Sequence, residues 1–261
     1  MGHPAEGDRK FVIALGRGLG VLDAFCTGET WQSSGGVASA VGLPRPTVSR
    51  LLQSLARDGY LVYSERRRRY RLGAGVLALG LAARSGAGIV ELALPHLRHL
   101  ADLYNVHASL AGRDRLDAVQ LAVCHSANTL MTLRLEVGSR IPVAGTATGH
   151  ALLAALGPAE LDDATEQLSR RHAKHWNAIS AQIAEGVEEH RARGYTTSKG
   201  SWMTDINGVA VALPNRDGEA LALSCGAPAR HLPRTKMDEI GHELRRVAQL
   251  LETDARQLDD E

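Results

Sequence analysis

The 261-residue sequence predicts an α+β protein of two modules. Residues 1–86 read as a winged helix-turn-helix with a linker helix, and residues 87–261 as an α+β domain with a largely antiparallel sheet. Three observations carry this. Charge is divided, with 12 Lys+Arg against 6 Asp+Glu in residues 1–86 and 18 against 23 in the rest, although the whole chain is only +1. A basic third on an acidic remainder suggests a module that meets a polyanion. The apolar pattern up to residue 72 runs helix, short helix, turn, helix, hairpin, the order of a winged helix-turn-helix. Beyond residue 88, helix and strand patterns mix without strict alternation, as in an α+β domain.

The first element starts at Leu15, where Leu15, Leu19, Leu22 and Phe25 recur every three or four residues; Thr27-Gly28 ends it. Residues 1–10 are polar and aperiodic, so fraying is expected. A short helix, Val37 to Val41, closes at Gly42. In GLPRPTVSRLLQSLARDGY, Pro46 suits a first helical turn, and Val48, Leu51, Leu52 and Leu55 form the apolar stripe. Asp58-Gly59 stops that helix. LVYSERRRRYRL then alternates as two short strands around a polar turn. Residues 73–86 read as a helix too apolar to stand uncovered, and Ser85 to Gly88 mark the module boundary.

In the second module a helix is expected at 89–104, bent or interrupted at Pro95. Strands are expected at Val106–Ala111, Ala118–Cys124 and Met131–Leu135. Gly145 to Gly149 opens a helix, His150 to Leu156, and further helices fall near 158–169 and 178–192. Tyr195–Ser198, Gly208–Leu213 and Ala220–Cys225 read as strands, the last two joined at Asn215-Arg216-Asp217-Gly218. Thr235 and Asp238 have capping-box spacing ahead of a closing helix to about Leu258.

Composition narrows the function classes. The chain is 44% hydrophobic, which excludes disorder, but only 4% aromatic. Its apolar run Val76 to Ala83 is far short of a bilayer span of about 20 residues, and no secretory signal is visible. A cytoplasmic protein without a membrane partner is the expectation. Cys26, Cys124 and Cys225 form no CxxC, so neither a disulfide scaffold nor a zinc site is expected.

Two groups of residues point to nucleic acid. Arg45, Thr47, Ser49, Arg50 and Gln53 lie largely opposite the leucine stripe, where Arg and Gln can read base edges and hydroxyls can bind phosphate. Arg66, Arg67, Arg68 and Arg69 would reach phosphates or a minor groove from a hairpin tip. A solvated charge run is the alternative for the arginines. The GTATG turn at 145–149 suits an anion, through free N–H groups and hydroxyls, or is simply a tight connection.

Enzymatic signals are weak. GRGLG at 16–20 lacks the dinucleotide spacing, there is no phosphate loop, and no nucleophile elbow occurs. The pairs His96/His99 and His172/His175 lack a third ligand set, so no metal or other cofactor is expected. Cys225 ends an apolar strand, where a structural thiol is the simpler reading. A small-molecule enzyme with a nucleic-acid-binding appendage would need His150, Cys225 or Asp205 in a recognisable constellation, and none appears. An RNA-binding or architectural protein would be expected to offer more stacking aromatics.

Several ordered blocks resemble the IclR-type family of bacterial transcription regulators: GLPRPTVSRLLQSLARDGYL with YRLG, then GSRIPVAGTATGHALLAAL, GYTTSKG and GVAVALPNRDGEALALSCGAP. The resemblance implies a winged helix-turn-helix, a dimerising linker helix and a GAF-like effector-binding domain. It implies no enzymatic activity, homodimers or homotetramers on palindromic double-stranded operators, and a small-molecule effector. Its effector positions here are Gly145, Thr146, Ala147, Ser198, Gly208, Leu223 and Cys225. Gly200-Ser201 stands where the family usually has Gly-Glu. With Ser198, Leu223 and Cys225, this predicts a weakly polar lining and a partly apolar or aromatic effector.

Overall fold

The computed structural model describes residues 12–26, 29–86, 88–126, 135–216 and 219–259. The chain divides into two compact units, residues 1–86 and 87–261.

The first unit is built from α1 (Ile13–Asp23), α2 (Ser34–Val41), α3 (Arg45–Arg57), the hairpin β1 (Leu61–Ser64) and β2 (Arg69–Leu72), and α4 (Ala74–Gly86). Ser33 caps α2 by accepting from the Gly36 N–H. Gly42 closes α2 in the left-handed region (φ 66°), so a Cβ there would be strained. Pro44 follows, and Pro46 falls in the first turn of α3, where its missing N–H costs nothing. Val21, Val37, Val48, Leu52 and Leu61 form the core. The Leu15 and Leu19 positions of the first stripe are exposed instead, because α1 buries Gly20 and Val21. Gln32 adds a one-residue bridge to β2, exchanging backbone hydrogen bonds of 2.9 and 2.8 Å with Tyr70. The helix end expected at Thr27-Gly28 lies outside the described residues.

The second unit has a six-stranded, wholly antiparallel sheet in the order β5-β4-β3-β8-β7-β6. The strands are β3 (His107–Asp114), β4 (Asp117–His125), β5 (Arg140–Pro142), β6 (Thr196–Lys199), β7 (Ile206–Arg216) and β8 (Glu219–Pro228). One face packs on α5 (Gly88–Tyr104) and α9 (Arg234–Asp259) through Leu97, Leu110, Leu223, Ile240 and Leu244. The other face packs on α6 (Ala147–Ala154), with α7 (Pro158–Arg171) and α8 (Trp176–Arg193) behind it. This is the GAF-like α+β arrangement expected.

Differences from the sequence reading have local causes. Helix α5 runs through Pro95 without a break. Helix α6 begins at Ala147, three residues early, because the Thr146 hydroxyl accepts from the Gly149 N–H and sets the cap there. Asp238 does not cap α9; its carboxylate binds Arg193 and accepts from the Tyr195 hydroxyl. The short strand β5 was not foreseen. The strand expected at Met131–Leu135 falls on residues 131–134, outside the described residues, as do Asp217-Gly218 of the expected turn and residues 1–10.

Close helix packing depends on small residues. A Cβ at Gly186 of α8 would collide with the ring of His150 on α6. Gly186→Ala is therefore expected to destabilise the fold by about 1–3 kcal/mol, and His150→Ala in the same chain to return most of that loss. Thermal unfolding of the two single variants and the double variant measures this; simple additivity would contradict the steric account.

Candidate functional site

Two surfaces gather the residues singled out from the sequence, one in each unit. In the first, Arg45, Arg50 and Gln53 are exposed on α3, with Thr47 and Ser49 half-buried. Arg45 leans over α2, since a Cβ at Gly35 would stand 3.4 Å from its guanidinium. Arg50 and Gln53 are one turn apart on the solvent side, the geometry a groove-reading helix needs.

The four hairpin arginines are not equivalent. Arg69 pairs with Glu29 at 2.6 Å and donates to the Trp31 carbonyl at 3.0 Å, so it braces the hairpin. Arg67 lies 5.5 Å and Arg71 5.4 Å from the Trp31 ring, on which both stack as cations. Arg66 and Arg68 occupy the tip, exposed, with no acidic partner among the described residues. Arg68 takes a left-handed φ of 50°, which costs about 1–2 kcal/mol in an L-residue. The tip thus places two uncompensated guanidinium groups where an anionic backbone can reach them.

The second surface is a cavity under α6 enclosing about 50 Å³ and partly open to solvent. Its floor is one rung across four strands. Ser198 on β6 pairs with Gly208 on β7, which pairs with Gly226 on β8, which pairs with His107 on β3. The two central positions have no side chain, so the sheet is hollowed there. A Cβ at Gly208 would stand 3.3 Å from Ser198 Oγ and 3.6 Å from Ala147 Cβ. The next rung brings Ser109 against Ser224, their hydroxyls 3.0 Å apart. Leu135, Ile141, Trp202 and Ile206 supply apolar wall.

The first turn of α6 forms the rim. Thr146 Oγ1 donates to the Pro142 carbonyl at 2.7 Å and accepts from Gly149, while Ala147 and Thr148 line the cavity. Helix geometry leaves first-turn N–H groups without intrahelical acceptors, and the positive end of the helix dipole lies there.

Among the described residues, two buried side chains in the lining lack partners. Both ring nitrogens of His107 and both amide atoms of Gln120 make no hydrogen bond, at 3% and 1% exposure. Burial, helped by the neighbouring His125, lowers the His107 pKa from 6.5 to about 4, so its imidazole is neutral at pH 7. Each buried polar group left unpaired costs about 1–3 kcal/mol, an arrangement that favours whatever supplies partners.

Of the seven predicted cavity residues, Thr146, Ala147, Ser198, Gly208 and Cys225 line it and Gly145 and Leu223 do not. Gly145 makes the turn before α6, at φ 78°. Leu223 faces α5 and α9, because strand parity gives the cavity side to Ser224 and Gly226. The Cys225 side chain shares that core, and its carbonyl is what nears Gly208. Full burial pushes the Cys225 thiol up to about 12, which makes it structural and not a nucleophile. The lining is therefore more polar than Ser198, Leu223 and Cys225 predicted. His107, Ser109, Gln120 and Ser224 were missed. The alternation Val106-His107-Ala108-Ser109-Leu110 signals the first two, but Gln120 faces the cavity through a bulge. At Leu110/Ala111 the register of β3 and β4 slips, and the buried side of β4 changes from α6 at Ala118 to α5 and α9 at Ala122. Among the described residues no group of three His, Cys, Asp or Glu is placed to hold a metal, and no single helix is long and apolar enough to cross a membrane.

Known proteins agree along the chain. Residues 14–65 match the IclR helix-turn-helix domain, and residues 81–253 match the bacterial transcriptional regulator IclR C-terminal domain. The chain is similar to the HTH-type transcriptional regulator TsaQ1/TsaQ2 of Comamonas testosteroni, 28% identical over 96% of this chain and 91% of that one. An IclR family transcriptional regulator from Brucella abortus superimposes with a TM-score of 0.88, at 35% identity over 97% of this chain and 96% of that one. An IclR homologue from Microbacterium hydrocarbonoxydans complexed with 4-hydroxybenzoate shares the fold, with a TM-score of 0.70 at 23% identity over 94% and 99%.

Two outcomes follow. Replacing both tip residues (Arg66→Ala with Arg68→Gly) is expected to weaken DNA binding on every sequence and to lower the salt-dependence slope by about 2, as two lost phosphate contacts require. Fluorescence anisotropy across a salt series reads this. For stability, His107 and His150 are both held neutral by burial, their pKa values lowered from 6.5 to about 4. The unfolded chain takes up protons below pH 6.5 while the folded one resists until about pH 4. Stability from these groups is therefore present above pH 6.5 and lost between 6.5 and 4, by about 3 kcal/mol per imidazole. Urea unfolding at pH 7.5 and 4.5 measures the loss, and His107→Asn is expected to reduce it.

Proposed function

The chain belongs to the IclR family of bacterial transcriptional regulators, and from that premise we propose that it is a ligand-responsive, DNA-binding regulator of a catabolic or transport operon. Its relatives are transcription regulators, not enzymes. Helix α3 enters a major groove, where Arg50 and Gln53 read base edges and Thr47 and Ser49 meet phosphate. Arg66 and Arg68 reach the flanking backbone or minor groove. Arg45, Arg67 and Arg69 support these contacts from their packed positions.

The observation that carries the sensing half is the α6 cavity with its unpartnered His107 and Gln120. The free N–H groups of Ala147 and Thr148 suit a carboxylate, and Leu135, Ile141, Trp202 and Ile206 suit an apolar or aromatic body. The effector is a small, partly apolar organic acid; the 4-hydroxybenzoate held by the Microbacterium homologue is of this class. Effector binding shifts DNA affinity because the acid binds two states of the protein unequally.

Function as a homodimer or homotetramer on a palindromic operator in the cytoplasm accords with exposed leucines. Leu15 and Leu19 on α1, and Leu77, Leu79 and Leu81 on α4, are each more than half exposed in the single chain. A second copy is the natural cover.

The full chain is expected to bind a duplex from its own upstream region in a salt-sensitive manner, and to change that affinity when an aromatic acid is added. Calorimetric titration with benzoate-class acids and with glyoxylate decides the effector class. Tight binding of glyoxylate alone would overturn it, and no salt-sensitive binding to any duplex would overturn the regulator.

A further inference from the structure

The cavity presents two chemically different ends. At one is the first turn of α6, where Ala147 and Thr148 line the cavity and the Ala147 Cβ would stand 3.6 Å from a Cβ at Gly208. Toward the other stand His107 on β3 and Gln120 on β4; Gln120 pairs with Ala111, so the two lie four residues apart along the strands. Gly208 and His107 share a rung through Gly226, two interstrand steps apart. At about 4.8 Å per step the ends are roughly 10 Å apart along the backbone, with the glycine floor between them.

The far end is polar but uncharged. His107 is 3% exposed and Gln120 1% exposed, and neither has a hydrogen-bond partner among the described residues. A neutral imidazole offers one donor and one acceptor, and a primary amide offers both. Among the described residues, no Lys or Arg lines the cavity. The ring centroid of His125 is 5.0 Å from that of His107, and His125 Nε2 donates to the Leu135 carbonyl at 3.0 Å. A second carboxylate here would be buried against groups with no positive charge to offset it. A group that donates and accepts at once has both roles matched.

We infer that His107 and Gln120 are specificity-determining residues, and that the effector is a bifunctional acid carrying a neutral hydroxyl or amide group at the end opposite its carboxylate. This rests on the reading of the cavity as an organic-acid effector site. The ligand's hydroxyl or amide supplies the partners these groups lack while its body fills the hollow over Gly208 and Gly226. An acid lacking the group leaves buried donors and acceptors unmet, which is where hydrogen-bonding sites discriminate most strongly.

The test is calorimetry on the full chain with two probe sets: benzoate, 4-hydroxybenzoate and terephthalate, and the shorter propionate, 3-hydroxypropionate and succinate. In at least one set the hydroxy acid is expected to bind ten-fold or more tighter than the plain acid, and the diacid more weakly than the hydroxy acid. His107→Leu and Gln120→Leu are expected to reduce the hydroxyl preference to two-fold or less. Should those variants fail to fold, nitrogen-15 shifts of the His107 ring in the unsubstituted protein serve instead. They are expected to move with the hydroxy acid and to stay put with the plain acid. Equal binding of plain and hydroxy acids, or a preference for the diacid, overturns the inference and leaves the acid site standing. No binding by any of the six acids overturns both.

Discussion

A sheet covered on both faces must commit each residue to one side, and that commitment organises the second unit. Residues of β8 alternate between the α5/α9 core, which takes Leu223 and Cys225, and the α6 side, which takes Ala222, Ser224 and Gly226. The register across the strands then lines up Ser198, Gly208, Gly226 and His107 as a single row. Two adjacent residues in that row lack side chains, so the close packing that fills the rest of the interface fails there and a hollow results. The site exists because of where side chains are missing as much as where they are present.

The same hollow carries an energetic penalty. Four polar atoms of His107 and Gln120 are buried without protein partners, and the His107 imidazole is held neutral. A ligand that satisfies them binds the folded chain and not the unfolded one, so occupancy adds to stability by mass action. Elsewhere the unit is well tied. Arg193 joins Glu189, Tyr195 and Asp238, linking α8, the start of β6 and α9. Rigid support around a poorly satisfied centre is the expected distribution for a binding site.

The first unit was legible from the sequence because its signals are local. The Gly42-Leu43-Pro44 turn, the stripe on α3 and the Arg-rich hairpin are each contained within a few residues. In the second unit, element types were legible and the parity of the sheet was not. Choosing Leu223 over Ser224 is a one-residue error that turns a strand over, and resemblance to a family's sequence block offers no guard against it. Gln120 was out of reach because a register slip between β3 and β4 has no composition signature. The inequality among Arg66, Arg67, Arg68 and Arg69 was equally hidden, since it is decided by Glu29 and Trp31, more than thirty residues earlier.

That bracing of the hairpin bears on how the protein meets DNA. Arg69 is clamped to Glu29 and to the Trp31 carbonyl, and Arg67 and Arg71 both stack on the Trp31 ring. Long side chains ordinarily surrender rotamer entropy on docking; for Arg67, Arg69 and Arg71 most of that ordering is already complete, whereas the exposed Arg66 and Arg68 still have it to lose. The frame of the hairpin is therefore fixed before any anionic backbone approaches, and what ordering remains falls on the two tip side chains.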